Sequence, residues 1–276
     1  MVIFPKHVFP VSVEIDVAST CTRKCWFCNP GIPKHRRENP VFFSQQYHKN
    51  IVDDLALNFD YNENHWLTYC GMGEPLMNPN LGEMLRYARK ILPFVSMNLL
   101  TNGDLLTEDF CRICEETGTY LIWDYYEDDD TSRRVPQIIK ASGMDLKLAK
   151  INDQTRRTPS TYISRCSTLW PVGYLDAPCL QPSGSLFFAA EGYPVICCND
   201  YHHTVRFVEG MLPSEFRDDK VFKTLCHNLK FGNRKICEAC SKCEIVSCGN
   251  NEVIKAKSNI IALPSIASHP IFHKLI

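Results

Sequence analysis

Between about residues 10 and 155, short β-rich runs alternate with longer helix-like segments, and this alternation narrows the fold more than any other feature. The runs are VSVEIDV, HWLTYCG, VSMNLLTN, TYLIWDYY and DLKLAKI. Between them, SQQYHKNIVDDLALNF and NLGEMLRYARKIL place apolar residues at helical spacing, and TEDFCRICEETG reads as a shorter helix. Ser44, Asn80 and Thr107 are placed to cap these helices and Gly118 to stop the third. Such alternation predicts an α/β fold in which helical crossovers join a parallel sheet. The expected form is a partial (β/α)6 barrel, about six units rather than the eight of a closed barrel. Active sites of parallel barrels form at the carboxyl ends of the strands. Three motif-bearing loops fall there: STCTRKCWFC, GMGEPL and TNGD.

The pattern changes beyond about Pro171, so we divide the chain into residues 1–170 and 171–276. CLQPSGSLFFAAEGYPVICCND reads as a β-hairpin turning near Glu191 and Gly192. SEFRDDKVFKTLCHNL follows as a helix capped by Ser214, and then comes the cysteine-rich RKICEACSKCEIVSCG. The tail from Asn250 shows no clear period.

At 276 residues, 45% of them hydrophobic, the chain can bury a sizeable core with an appendage. Lys+Arg 30 against Asp+Glu 31 leaves no whole-protein field to gather nucleic acid or an anionic membrane, so neither is an expected partner. MVIFPKHVFPVSVEI lacks the pattern of a signal peptide, and no stretch reaches the ~18 consecutive apolar residues of a membrane helix. A soluble, cytoplasmic protein is expected. Its fifteen cysteines, an odd number with no export signal, read as reduced thiols, several of them metal ligands.

Thiolates suit zinc or iron–sulfur clusters. Structural zinc sites close all four positions, commonly with CxxC pairs, whereas Cys21, Cys25 and Cys28 supply three thiolates on one loop without an obvious local fourth. Three cysteines on a four-iron cube leave one iron open to an exchangeable ligand. A zinc knuckle with a borrowed fourth ligand is the structural alternative.

CTRKCWFC has the form CxxxCx(aromatic)C and is followed one βα unit later by Gly71-Met72-Gly73-Glu74-Pro75. Together they resemble the radical S-adenosylmethionine superfamily, with Met72 in place of the first glycine of its GGEP motif. The resemblance implies that Cys21, Cys25 and Cys28 hold a 4Fe-4S cluster whose open iron takes the amine and carboxylate of S-adenosylmethionine. It implies that Phe27 faces the adenine, and that Glu74 or neighbouring carbonyls receive the ammonium group. Asn102 and Asp124 would reach ribose or substrate, each otherwise a turn asparagine and a capping acid. Arg165 would pair with the cofactor carboxylate, or else lie on the surface. An electron donor such as flavodoxin or ferredoxin is implied as a partner.

Cys179, seventeen residues, Cys197, then Cys237-Glu-Ala-Cys240 resembles the twitch domain of SPASM/twitch radical enzymes, in which a hairpin and a helix carry an auxiliary 4Fe-4S cluster. By that match these four cysteines are the ligands, with Cys240 and Cys243 as a shifted alternative and zinc as the structural one. Cys243 and Cys248 stand at the wrong intervals for a second auxiliary cluster. Cys198 and Cys226 read as buried small hydrophobes.

An auxiliary cluster near the substrate suits net two-electron oxidation of a small polar biosynthetic substrate, and the spacings look similar to those of twitch-type aminocyclitol dehydrogenases. Two alternatives stay open. One is modification of a short peptide by epimerisation, crosslinking or decarboxylation; an epimerase would need a hydrogen-atom donor such as Cys166 or Cys70, and only about ten residues precede the first strand to carry a leader-binding domain. A non-catalytic iron–sulfur or zinc protein is the other. EDDDTSRR would meet a cationic substrate or form a solvated loop, and His202 and His203 would move protons or lie on the surface.

Overall fold

The computed structural model describes residues 12–25, 39–126, 129–153, 179, 181–198, 200 and 202–241. β1 (Ser12–Asp16), β2 (Trp66–Cys70), β3 (Ser96–Thr101), β4 (Thr119–Tyr125) and β5 (Ala149–Asp153) lie side by side in chain order, every pair parallel. Between them run α1 (Gln45–Asn58), α2 (Leu81–Ile91), α3 (Glu108–Thr117) and α4 (Asp130–Ser142). The two-residue alternation of a strand decides which side is which. Val13, Ile15, Leu67, Tyr69, Met97, Leu99, Leu121, Trp123, Ala149 and Ile151 are all buried in one core with Ile51, Leu55, Met84, Leu85 and Val135 of the helices. Burying each Leu or Ile contributes about 1.5–3 kcal/mol. Alternation puts Glu14, Asp16, Thr68, Cys70, Asn98, Asp124 and Asn152 on the opposite face. A parallel sheet covered by packing on both faces would be apolar on both; here the second face is lined by these polar side chains.

The C-terminal hairpin continues this sheet instead of forming a layer of its own. β6 (Ser185–Phe188) pairs in parallel with β1, from Ser12 against Ser185 to Ile15 against Phe188. β7 (Pro194–Val195) then pairs antiparallel with β6, giving the order β5-β4-β3-β2-β1-β6-β7 in an open sheet. The turn falls at Glu191 and Gly192 as the sequence predicts, with the Gly192 N–H closing onto the Ala189 carbonyl at 2.9 Å. The division at residue 170 lies outside the described residues.

Thr107 caps α3 and Ser44 caps α1 through their side chains, and Gly118 ends α3 in the left-handed region. Two capping expectations fail. Asn80 makes no side-chain cap; the Asn78 carboxamide takes the Asn80 N–H at 2.9 Å instead. The single helix expected from Ser214 is two, α5 (Pro213–Asp218) and α6 (Lys220–Lys230), because Asp219 leaves the helical conformation and its carboxylate accepts the Phe222 N–H at 2.9 Å, capping a new helix. Ser214 bonds Asp54 of α1 at 2.7 Å. No helix among the described residues is long and apolar enough to cross a membrane.

The loops at the carboxyl edge are drawn together at residues 71–76. A Cβ on Gly73 would overlap the carbonyl oxygens of Ala18 and Thr20, and one on Gly71, at φ +132°, would overlap Asp16. Only glycine lets these backbones approach so closely. Glu74, 2% exposed, spends its carboxylate on the chain: Oε1 accepts from Thr101 Oγ1 at 2.6 Å and Leu76 N at 3.1 Å, and Oε2 accepts from Asn102 N at 2.9 Å. Its own N–H donates to the Thr20 carbonyl at 2.8 Å. The loop after β1, the loop after β2 and the end of β3 therefore meet at one buried residue, the first through its backbone and the others through its carboxylate. Burial outweighs these donors and raises its pKa from 4.5 to about 7.

Gly73→Ala is expected to destabilise the chain by about 1–3 kcal/mol in urea unfolding, since the clash is with backbone and no rotamer relieves it. For Glu74, the unfolded chain ionises first as pH rises, so stability is fully present below about 4.5 and lost by about 7. The urea midpoint of the unsubstituted protein should fall relative to Glu74→Gln across that window; a constant difference would contradict it.

Candidate active site

The loop leaving β1 carries Cys21 and Cys25, both partly exposed free thiols. Cys21 Sγ faces two N–H groups, the backbone of Arg23 at 3.4 Å and Asn102 Nδ2 at 3.5 Å. Burial raises the pKa of both thiols, and each is near enough to the other for Cys21 to add to the rise at Cys25. Two neighbouring thiols that resist ionising alone, with donors already aimed at one sulfur, fit a cationic iron–sulfur centre, which would hold them as thiolates. Cys28 and Phe27 lie outside the described residues, as do Arg165 and Cys166.

Asn102 is 5% exposed and sits where β3 ends. Its amide also donates to Thr22 Oγ1 at 3.0 Å, and its side-chain oxygen accepts the Asp104 N–H at 2.8 Å. It therefore acts on the cysteine loop, where the sequence suggested ribose or substrate. Asp124 lies on the polar face of β4 and accepts from Asn152 Nδ2 at 2.6 Å. Cys70 ends β2 on the same face, its Sγ 3.9 Å from Glu14 Oε2, and burial pushes its pKa well up. Met72 N donates to Asp16 Oδ1 at 3.1 Å, and Pro75 opens the short 3-10 turn capped by Glu74.

A charged knot that sequence reading missed lies beside the cysteines. Arg23 grips Asp104 with Nε and Nη2, the shortest contact 2.6 Å, and reaches Asp129 Oδ2 at 3.0 Å. Although burial alone would raise it, Asp104 is held below the usual carboxylate range by hydrogen bonds from Arg23, Thr131 and Thr22. Only the TNGD string hinted at this, because the partners lie about eighty positions apart in the chain. The acidic run is divided in the same way: Asp129 caps α4 and pairs with Arg23, while Asp130 is exposed.

Of the second cysteine set, Cys179 is tied by its N–H to the Leu229 carbonyl at the end of α6, Cys197 follows β7, and Cys237 precedes a helical turn (Glu238–Ser241) that contains Cys240. The side-chain hydrogen bond between Cys237 and Cys240 lowers the pKa of the first and raises that of the second. The Cys240 N–H donates to Cys237 Sγ at 3.3 Å, and among the described residues no three side chains stand as ligands around a single ion. Cys226 is buried as expected, but Cys198 is exposed, contrary to its reading as a core residue. His202 is exposed and His203 is 4% exposed, its Nδ1 3.0 Å from the Tyr193 hydroxyl. Cys243 and Cys248 lie outside the described residues.

Residues 15–127 match the model of the Radical SAM superfamily. The S-adenosyl-L-methionine-dependent 2-deoxy-scyllo-inosamine dehydrogenase of Niallia circulans is 22% identical over 245 residues, 87% of this chain and 95% of the relative. BtrN in complex with AdoMet and 2-DOIA is similar in structure, with a TM-score of 0.70 at 21% identity over 87% of this chain and 95% of BtrN. Native anSMEcpe with bound AdoMet gives a TM-score of 0.57 at 10% identity over 92% and 99%. At such identities the structural likenesses speak for the fold, a partial barrel. With the cysteine loop, the 71–75 motif and the family match on one segment, this chain carries a radical S-adenosylmethionine domain over residues 15–127.

Proposed function

We propose that the chain is a twitch-type radical S-adenosylmethionine dehydrogenase that oxidises a hydroxyl-bearing small molecule by two electrons. The observation that supports this reading is that the hairpin leading to Cys197 extends the same sheet as β1, while Cys179 is bonded to the end of α6 and the Cys240 N–H donates to Cys237 Sγ at 3.3 Å just beyond it. Four thiolates suit a fully ligated auxiliary cluster, an electron carrier rather than a substrate-binding centre. The relative from Niallia circulans, matched over 87% of this chain, is named for dehydrogenation of an aminocyclitol.

Cys21, Cys25 and Cys28 hold the first 4Fe-4S cluster in this reading. When bound, the cluster and S-adenosylmethionine supply a 5'-deoxyadenosyl radical that removes a hydrogen atom from a carbinol carbon. The chain does the rest. Phe27 would offer its ring to the adenine. Because Glu74 is taken up by donors from residues 76, 101 and 102, the carbonyls beside it are the acceptors left for the cofactor ammonium. Arg165 pairs with the cofactor carboxylate, and Asp124 meets ribose or substrate from the polar face. Cys179, Cys197, Cys237 and Cys240 would hold an auxiliary cluster able to take the second electron, so that loss of the hydroxyl proton to a base would leave a carbonyl.

Anaerobic reconstitution of the full chain should yield about eight irons per chain, two cubes of four. Cys25→Ala should lower this to about four and cut 5'-deoxyadenosine formation at least about 100-fold, as loss of a ligand would. Cys197→Ala should also lower iron to about four yet still form 5'-deoxyadenosine, while losing the carbonyl product from an aminocyclitol substrate. Bound zinc with no 5'-deoxyadenosine would overturn the enzyme reading, and undiminished iron in Cys197→Ala would overturn the auxiliary cluster.

A further inference from the structure

The segment from Cys21 to Cys25 reaches the neighbouring loops through two side chains, Thr22 and Arg23, and both end on one carboxylate. Thr22 Oγ1 donates to Asp104 Oδ2 at 2.8 Å. Arg23 Nε lies 3.0 and 2.9 Å from Asp104 Oδ1 and Oδ2, and Nη2 lies 2.6 Å from Oδ1. A planar fork on a carboxylate fixes orientation as well as distance. The same guanidinium reaches Asp129 Oδ2 at 3.0 Å and lies 5.3 Å from the centre of the Tyr126 ring. Their side chains are largely withdrawn from water, 16% exposed for Arg23 and 20% for Asp104.

Asp104 is itself held from the barrel side. Thr131 of α4 donates to its Oδ1 at 2.7 Å, Arg134 Nη2 donates to its carbonyl at 2.6 Å, and Asn102 accepts its N–H at 2.8 Å. Asp129, the second acceptor for Arg23, is fixed as the cap of α4 by the Ser132 N–H at 2.8 Å. The anchor is thus rigid on one side, where α4 and the end of β3 meet, and grips the cysteine loop on the other. Asn102 works from the same anchor, giving one amide to Thr22 and to Cys21 Sγ.

We propose that Asp104 is the positioning residue of the cysteine loop: through Thr22 and Arg23 it holds residues 21–25 in the cluster-binding conformation before any iron is present, with Asn102 aimed at the Cys21 sulfur. The proposal rests on the reading of Cys21 and Cys25 as cluster ligands, and it assigns Asp104 and Arg23 no contact with substrate. A loop that must offer three thiolates at once loses less conformational freedom on binding if it is already ordered.

The test uses the full chain with Asp104→Asn and Arg23→Lys. In the metal-free protein, amide hydrogen exchange at residues 21–25 should speed up about tenfold in Asp104→Asn, the equivalent of about 1.4 kcal/mol. Exchange in β2 and β3 should stay unchanged. After reconstitution, iron loss to a chelator should be about tenfold faster, the electron paramagnetic resonance signal of the reduced cluster should change, and Arg23→Lys, which keeps charge but not the fork, should fall between. Loop exchange and chelator loss equal to those of the unsubstituted protein would overturn the proposal. So would loss of protection throughout the sheet in Asp104→Asn with Arg23→Lys unaffected, which would make Asp104 a folding residue. Equal iron in the unsubstituted protein and Cys25→Ala would overturn the cluster assignment instead, and the proposal with it.

Discussion

One buried carboxylate, that of Glu74, holds the carboxyl edge of the sheet together. Its oxygens take donors from the loop after β2 and the end of β3, and its N–H bonds the loop after β1. Everything proposed for the site depends on that convergence, because the cysteines, Asn102 and Asp104 sit on loops that otherwise belong to different βα units. Gly73 makes it sterically possible, since any side chain there would displace the Ala18 and Thr20 carbonyls. A motif read from sequence as a cofactor contact is therefore first an internal joint of the protein.

The strands and their order were legible because β-rich runs and helical periods alternate strongly, and parallel neighbours follow chain order in such folds. The polar face was legible in principle: Glu14 and Asp16 alternate with Val13 and Ile15 inside a single strand. Placing β6 against β1 was not, since nothing in a four-residue apolar run states which edge it will join. Ser214 and Asn80 illustrate a local limit. Both residue types favour caps, but Ser214 falls inside α5 and turns its hydroxyl to Asp54, while Asn80 precedes α2 without its side chain bonding the helix N–H groups. The Arg23–Asp104 pair was hidden for another reason: charges of opposite sign are common in any sequence, and only the folded loops bring these two within 3 Å.

The hairpin's position bears on how two redox centres would work together. β6 runs parallel to β1, so the hairpin turn and the cysteine loop leave the sheet on the same side. Cys179 is bonded to the end of α6, Cys197 follows β7, and Cys237 and Cys240 lie just beyond α6. An electron acceptor held on these elements would keep a fixed relation to the cysteine loop, which one on a tethered domain would not.

The most direct measurement is electron paramagnetic resonance of the reduced, reconstituted full chain before and after S-adenosylmethionine is added. An open iron on the Cys21–Cys25–Cys28 cluster and a closed auxiliary cluster together predict that one of two signals shifts with the cofactor while the other stays. A single signal, or two that both ignore S-adenosylmethionine, would contradict the division of labour between the two cysteine sets.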